Sequence, residues 1–525
     1  MSSSAHSLRG PLRRTKLAFT LLVVALVGGI VFGARWSAQH HALGAVFGMP
    51  DAGVSAQHDV PGARLPAASL ARYRAFAATS VADRGPLVLA YHDVRVHPKG
   101  PYAITPERFD DQMAMLQAAG FHTISVDQLL AYGAGKPLPP RSVLLTFDDG
   151  TGGLWQYADK ILERRHMRGV SFVISGDVND VGGGYYLSWS ELQRMQSSGR
   201  WDLESHSHDG HGLVKTNAQG ATGAFFVNRA WIPRLGRLET LDEFRRRITG
   251  DLDTVAADFR AHGLRLPKVF AHPRSATVND ANDPATVAVL AGVLKQRYAD
   301  SFTNEDFASQ LHGDQFASGT LPRLEILGSM TADDVFDTLV RAVAMPVTDL
   351  HAFSRPELWV TDSGAPIAGI AGDRLTLTNG DKTWAAAHLA PGATSRWSRY
   401  AVSVAIDGLG GKGSDVSAGL TVLDGSPRQY TIGVSTGFLT VREGTGPAAK
   451  EIGKAKLQPS PSHVLSVTVD GGALVVAADG HEVFRGGAAA PDALGGPALS
   501  VWRSSPGLPV PILEDVHVTP LGATP

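Results

Sequence analysis

Short apolar runs alternate with amphipathic stretches from Pro86 to about residue 345. The runs are bounded mostly by turn residues and predict strands, the clearest being Leu87–Tyr91, Val143–Phe147, Val170–Ser175, Trp201–Ser205 and Lys268–Ala271. The amphipathic stretches open with helix-capping signals at Thr105, Thr240 and Thr331. Strand and helix in succession predict an α/β unit built as a parallel sheet or a (β/α) barrel.

The hydrophobic pattern changes after about residue 355. Thr- and Val-rich stretches such as Tyr400–Ile406 and Val464–Val469 alternate apolar and polar positions, and Asn-Gly and Asp-Gly turns separate them. This pattern predicts an all-β, jelly-roll-like sandwich over residues 356–525, joined to the first unit by a linker at residues 346–355. Its tryptophans Trp384, Trp397 and Trp502 fit either a core or an aromatic platform for sugar rings.

The beginning of the chain carries a targeting pattern. Residues 17–34 contain only apolar, Gly and Thr side chains and follow several Arg and Lys residues, which predicts a transmembrane signal anchor behind a cytoplasmic basic tail at residues 1–16. The expected protein is held in the cell membrane by a single pass, with its catalytic part extracellular. A cleaved signal peptide would release it as a secreted protein. Residues 35–85, rich in Ala, Gly, His and Ser, predict a stem.

Composition narrows the chemistry. The chain has 525 residues, enough for two or three domains, with 43% hydrophobic and 19% charged residues, which is ordinary for globular proteins. A net charge of −2 without a basic patch argues against a nucleic-acid partner. The absence of cysteine excludes disulfides, thiolate zinc sites and iron–sulfur clusters, so any metal must be bound by histidine and carboxylate.

Two carboxylates follow a predicted buried strand. Asp148 and Asp149 come directly after Phe147, and Gly150 lets the backbone turn. The carboxyl ends of barrel strands face the active site, so one acid can bind a metal while the other addresses a water molecule. The pair could also cap the next helical segment.

Three histidines follow another predicted strand: His206, His208 and His211. Two histidines and a carboxylate leave coordination positions open, as catalytic metal sites require. A third strand ends in His92, whose imidazole could donate a proton to a leaving group or form a structural hydrogen bond.

These motifs together resemble a known family. Tyr91-His92-Asp93, Thr146-Phe147-Asp148-Asp149-Gly150 and the segment from Ser205 to His211 are similar to the polysaccharide deacetylases of carbohydrate esterase family 4. The early Tyr-His-Asp strand and a histidine pair five residues apart resemble its poly-β-1,6-N-acetylglucosamine N-deacetylase branch. The resemblance covers residues 86–345 and implies a distorted (β/α) barrel deacetylase domain there.

The resemblance also implies roles. Asp148 would be the general base and His92 the general acid. The metal ligands would be Asp149, His206 and His211, with His208 a bystander, although spacing alone does not separate His208 from His211. The implied cofactor is a divalent metal, with zinc favoured and cobalt, nickel or iron suited to the same ligands.

The chain departs from the family at His272-Pro273-Arg274, where an aromatic residue is expected after the proline. The resemblance assigns this segment to substrate and oxyanion binding. A backbone N–H donor would survive the change of side chain, while substrate fit could differ and His272 could form a wall. His351, in a late Leu-His pair, is expected to belong to the linker.

The expected reaction is metal-dependent hydrolysis of N-acetyl groups from an acetylated glucosamine polysaccharide. Peptidoglycan or chitin-like oligomers are alternative substrates that residue identity does not separate. A catalytically silent glycan-binding protein and an iron oxygenase are further alternatives, the latter disfavoured because such sites normally lie in all-β barrels.

Overall fold

The computed structural model describes residues 53–79, 85–179, 184–305, 307–378, 380, 382–410, 415–488, 490 and 492–522. The predicted basic tail and the predicted anchor at residues 17–34 lie outside these ranges. The helices of the described residues are α1 Ala67–Ala77, α2 Pro106–Ala118, α3 Val126–Gly133, α4 Asp159–Arg164, α5 Trp189–Ser198, α6 Leu241–Ala261, α7 Ala285–Lys295, α8 Ala332–Ala342 and α9 Pro391–Thr394.

The expected localisation in the membrane through a single-pass anchor is not supported by the structure. Across the described ranges, no helix combines the length and the apolar character needed to cross a bilayer. The longest, α6, has 21 residues but carries Asp, Glu and Arg side chains from Asp242 to Arg260. Such charges are costly in hydrocarbon.

The first fourteen strands include a closed barrel. They are β1 Leu87–Tyr91, β2 Asp93–Val94, β3 Ala103–Ile104, β4 His122–Thr123, β5 Ser142–Phe147, β6 Gly169–Val173, β7 Trp201–Ser205, β8 Leu213–Lys215, β9 Thr222–Ala224, β10 Trp231–Ile232, β11 Arg237–Leu238, β12 Val269–Ala271, β13 Asp300–Asn304 and β14 Leu321–Glu325. Seven parallel strands follow one another in the order β1-β14-β13-β12-β7-β6-β5, and β5 pairs again with β1. The predicted barrel is confirmed.

Side chains alternate between the two faces of these strands. Val88, Leu144, Phe172 and Phe302 pack together in one buried cluster. Their neighbours in sequence, such as Leu89 and Leu145, pack in a second cluster with residues of the surrounding helices. Residues that follow the first cluster at every second position of a strand, such as Asp148 after Leu144, therefore lie at the mouth of the barrel.

The capping signals act as predicted. Thr105 accepts a hydrogen bond from Arg108 N, and Thr240 and Thr331 form complete capping boxes with Glu243 and Asp334. The structure differs from the predicted stem, because part of it is the helix α1. The buried Tyr73 of this helix donates a hydrogen bond to Asp333 Oδ1 over 2.7 Å, which attaches α1 to α8.

Antiparallel strands form the second unit: β15 Leu350–His351, β16 Trp359–Val360, β17 Ile370–Ala371, β18 Arg374–Thr376, β19 Trp384–Leu389, β20 Arg399–Asp407, β21 Val416–Val422, β22 Tyr430–Val434, β23 Phe438–Glu443, β24 Lys450–Lys456, β25 His463–Asp470, β26 Ala473–Ala478, β27 His481–Gly486, β28 Ala498–Arg503 and β29 Ile512–Pro520. One sheet contains eight of them and the other has the order β16-β19-β28-β21-β22-β23-β24. Val404 and Leu465 of the first sheet share a core with Leu420 and Ile432 of the second. The expected β-rich second unit is confirmed.

Candidate metal centre and active site

Three strand ends bring the site residues together. Asp148 follows β5, and its N–H donates to the Tyr91 carbonyl over 2.9 Å. His206 follows β7, and its N–H donates to the Val173 carbonyl over 3.0 Å. These two hydrogen bonds continue the strand pairing of the barrel by one residue. The polar side chains therefore lie at the carboxyl ends of the strands.

Asp149, His206 and His211 converge as a possible metal-ligand set. The Nε2 atoms of His206 and His211 lie 3.6 and 3.5 Å from Asp149 Oδ1. One ligand atom from each residue lies within 4.8 Å of the others. Asp149 has a left-handed backbone (φ 72°), which turns its side chain away from that of Asp148. Adjacent carboxylates can thus occupy two different positions.

The donor set fits a divalent metal ion. Asp149 Oδ1 is buried without a hydrogen-bond partner, although a buried carboxylate oxygen normally has one. His206 is buried, and its Nδ1 lies 2.9 Å from the Ala271 carbonyl, so that nitrogen carries the proton and Nε2 keeps its lone pair. Burial lowers the pKa of His206 to about 3 and that of His211 to about 4, which favours the neutral imidazoles that bind metals.

His208 is held elsewhere. Its Nδ1 lies 2.9 Å from Asp258 Oδ2 and 3.0 Å from Ser175 Oγ, and its N–H donates to Asp251. His208 is therefore anchored to α6, while His211 faces Asp149. Ser207, between the two strand-end histidines, has a left-handed backbone (φ 85°).

Asp148 is paired with a residue that the sequence analysis missed. Arg323 of β14 donates to both carboxylate oxygens, each over 2.7 Å, and its side chain is fully buried. Burial opposes ionisation of Asp148, but the charge and hydrogen bonds of Arg323, helped by His206, hold its pKa well below the usual range. The sequence signal that could have identified this residue was an arginine within the otherwise apolar Leu321–Leu324 segment.

His92 lies at the cleft beside Tyr102, with ring centroids 4.6 Å apart. Its Nδ1 is buried without a hydrogen-bond partner. The cavity has a volume of about 430 Å³, and the residues that line it are His92, Tyr102, Asp148, Asp149, His206, His211, His272, Arg274, Ser275, Asn304, Glu305 and Glu325. The expected base, acid and metal ligands therefore share one cleft.

The three residues of the segment expected to bind substrate differ in their burial and contacts. His272 is buried and lines the cleft, with Nε2 3.0 Å from Ser301 Oγ. Pro273 is buried at the start of a tight turn. Arg274 has a left-handed backbone (φ 62°) and an exposed side chain whose Nε donates to the His211 carbonyl over 3.1 Å. This hydrogen bond stabilises the loop that carries His211, a candidate ligand.

A second group of possible ligands lies on the sandwich. His351, expected in a linker, belongs to β15, and its ring stacks on that of His517 of β29 with centroids 4.3 Å apart. Asp349 pairs with His517. His351 and Asp349 have more than half of their side-chain surface exposed, unlike the possible ligands in the barrel.

Comparison with known proteins shows which family the barrel is similar to. A family model described as polysaccharide deacetylase matches residues 135–286. A poly-beta-1,6-N-acetyl-D-glucosamine N-deacetylase of Escherichia coli strain K12 is 29% identical over 176 residues, covering 31% of this chain and 26% of that protein. The enzyme of the same name from Staphylococcus epidermidis is 31% identical over 121 residues, covering 22% of this chain and 41% of that protein.

Among solved structures, the deacetylase domain of BpsB from Bordetella bronchiseptica is 27% identical and has a TM-score of 0.39, covering 46% of this chain and 96% of that one. The chain spans about a quarter to two fifths of the length of the curated relatives named above. The expected resemblance to polysaccharide deacetylases is confirmed, and the family-model match supports the expectation of a hydrolytic enzyme.

Proposed function

We propose that this chain, which carries a domain of the polysaccharide deacetylase family, hydrolyses N-acetyl groups of an N-acetylglucosamine polysaccharide with the help of a divalent metal ion. The observation that carries the proposal is the convergence of Asp149, His206 and His211 beside a separately held Asp148. Residues 86–345 would form the catalytic unit, residues 346–355 the linker and residues 356–525 the β-rich unit.

In the proposed site, Asp149, His206 and His211 hold the ion. A divalent ion there supplies Lewis-acid polarisation of the acetyl carbonyl and lowers the pKa of a water molecule. Zinc suits two imidazoles and one carboxylate, and cobalt, nickel and iron bind the same donors. The buried Nδ1–H bond of His206 to Ala271 fixes the orientation of that ring.

Asp148 is proposed as the proton acceptor. Arg323 keeps it ionised and takes one lone pair of each carboxylate oxygen. Because an ionised carboxylate oxygen has two lone pairs, one on each oxygen stays available for a proton of the attacking water. Arg323 is thus a positioning residue that fixes the carboxylate at the cleft.

His92 is proposed as the proton donor. As the C–N bond of the tetrahedral intermediate breaks, the imidazolium gives its proton to the departing nitrogen, leaving acetate and an amine on the sugar. The backbone N–H of Arg274, in the turn after Pro273, is the proposed donor to the developing oxyanion, and His272 is a proposed wall of the substrate cleft.

The proposed polymer is a poly-β-1,6-N-acetylglucosamine-like exopolysaccharide, because two relatives with this activity in their names match the chain. Tyr102 supplies a partly exposed aromatic ring next to His92, where a sugar ring could pack. Peptidoglycan and chitin-like oligomers remain alternatives within the same reaction.

Acetate release tests the proposal directly. Purified protein is freed of metal, reconstituted with zinc, cobalt, nickel or iron, and mixed with acetylated β-1,6-glucosamine oligomers, chitin oligomers or peptidoglycan. We expect acetate from the β-1,6 oligomers only with metal present, and a loss of more than about a hundredfold in Asp148→Asn.

An exposed carboxylate gives the matched control. Asp373→Asn, in the sandwich, should retain full activity. Acetate release from peptidoglycan alone would overturn the proposed substrate, and equal activity in metal-free protein would overturn metal dependence.

A further inference from the structure

The exposed aromatic residues of the β-rich unit lie on one face of one sheet. Trp384 of β19 and Trp502 of β28 are directly opposite each other, and they are 45% and 41% exposed. Phe438 of β23 is 41% exposed. By contrast, Trp397 is 4% exposed and belongs to the core. Adjacent large apolar side chains exposed on one surface are typical of interaction sites.

Strand pairing places these aromatic residues in one row. Trp502 pairs with Ser417 of β21. Ala418 pairs with Val434, and the Ser435 N–H donates to the Phe438 carbonyl, so the row continues from Ser417 to Phe438. Trp502 and Phe438 are three strands apart, about 14 Å at the usual spacing of strands. The row is long enough for several sugar units.

The next row toward the middle of the sheet has small side chains. It runs through Ser500, Gly419, Gly433 and Thr440, each paired with the next. A Cβ on Gly419 would lie 2.5 Å from Ser500 Oγ, so a side chain there would displace this hydroxyl group. The result is a flat floor beside an aromatic row.

We propose that this face binds a glycan, with sugar rings packed on Trp384 and Trp502; the proposal extends the deacetylase function above and rests on it for the identity of the polymer. The C–H faces of pyranose rings pack on exposed aromatic rings, and flat floors of small residues accommodate extended chains. The aromatic row thus supplies the apolar contact and the hydroxyl groups of Ser417 and Ser500 supply hydrogen bonds.

Charge on the same face favours the acetylated polymer. Phe438 pairs with Lys456, Thr440 pairs with Lys454, and both lysines are exposed. Lys454 Nζ lies 5.4 Å from the centroid of the Phe438 ring. A deacetylated polymer carries ammonium groups that these lysines repel, whereas N-acetylated units are neutral. The face should therefore hold substrate in preference to product.

The face also reaches the barrel unit. His388 lies on the same face of β19 as Trp384. Its ring centroid is 5.8 Å from that of Phe307. Phe307 is close in sequence to Asn304 and Glu305, which line the catalytic cleft. A glycan that extends along β19 from Trp384 toward His388 would therefore approach the barrel unit.

Binding of the full-length chain to acetylated poly-β-1,6-N-acetylglucosamine tests the proposal. We expect a Trp384→Ala/Trp502→Ala variant to bind the polymer about tenfold more weakly or worse, while acetate release from a short oligomer keeps its kcat/KM. Trp384→Phe/Trp502→Phe should retain part of the affinity. Wild-type protein should bind the chemically deacetylated polymer more weakly than the acetylated one.

The matched control is Val464→Ala, which shortens an apolar side chain that is 47% exposed on the other sheet. It should bind like the wild type, and circular dichroism should show every variant folded. Unchanged polymer affinity in the double alanine variant would overturn the glycan site, and equal binding of the deacetylated polymer would overturn the preference for substrate. If no acetate is released from any polymer while the tryptophans still control binding, the proposed catalysis fails and the glycan site stands.

Discussion

At the residue scale, the cluster after β7 shows how backbone direction separates identical side chains. His208 and His211 are three residues apart, but His208 contacts Asp258 and Ser175 while His211 faces Asp149. Ser207, between His206 and His208, has a positive φ, and the chain leaves the strand at this residue.

We expect His211→Ala to lose bound metal and more than about a hundredfold in activity. His208→Ala should keep its metal but lose about 1–2 kcal/mol of stability, because Asp258 and Ser175 lose a partly buried hydrogen-bond partner. Metal content by mass spectrometry and thermal unfolding distinguish the two variants. Loss of metal from His208→Ala would contradict the assignment of ligands.

Arg323 gives a second prediction at this scale. Arg323→Met leaves the buried Asp148 carboxylate without its counter-ion, so we expect a loss of about 3–5 kcal/mol in the free energy of unfolding and no activity. Arg323→Met/Asp148→Asn removes both charges and should recover most of that stability without activity. Denaturant unfolding measures the recovery, and an additive double variant would mean that the two side chains do not interact.

At the element scale, His388 connects three segments of the β-rich unit. From β19, its Nδ1 lies 2.6 Å from Asp424 Oδ2, after β21, and its Nε2 lies 3.1 Å from Asp362 Oδ1, after β16. Phe307 is the aromatic group packed against it. Burial works against the charged imidazolium, but the two carboxylates outweigh it and raise the pKa of His388 above its usual value.

A raised folded-state pKa means that the stabilisation is fully present below the unfolded pKa of about 6.5 and is lost as pH rises through the folded value. Asp424→Asn should therefore destabilise the protein by about 1–2 kcal/mol at pH 6 and by much less at pH 9. Chemical denaturation at both pH values provides the measurement, with Asp373→Asn as the exposed control. A difference that grows toward pH 9 would contradict this ion pair.

At the scale of the whole molecule, the two units form their hydrophobic cores from different parts of the chain. The largest cluster of the barrel unit extends in sequence from Val60 to Ala342, and the cluster of the β-rich unit extends from Leu350 to Val518. The proposed metal ligands belong to the first unit. Contacts between the units include α8 with α9 and a hydrogen bond that Arg341 Nη1 donates to the Glu357 carbonyl over 3.0 Å.

We expect two thermal transitions and a metal effect on only one of them. Zinc at about a hundred times its Kd adds about 2.7 kcal/mol to the stability of the barrel unit, which raises its Tm by about 5–10 °C. Calorimetry with and without a chelator measures the shift, and His211→Ala should abolish it. A metal-induced shift of both transitions would show that the two units unfold together.

The sequence by itself determined many of the elements and most of the candidate site residues. Strand ends at Tyr91, Phe147 and Ser205, capping boxes at Thr240 and Thr331, and the alternation after residue 355 all follow from local periodicity and hydrogen bonding. The carboxyl-end placement of Asp148, Asp149 and His206 followed because parallel barrel strands present their ends at one mouth.

Only the tertiary structure decided which side chains meet. It separated His211 from His208, paired Arg323 with Asp148 across 175 positions of sequence, and aligned Trp384 with Trp502 on the surface while burying Trp397. These outcomes depend on strand register and barrel closure. A register shift of one residue moves every side chain of a strand to the other face, so these pairings depend on how segments distant in sequence pack together.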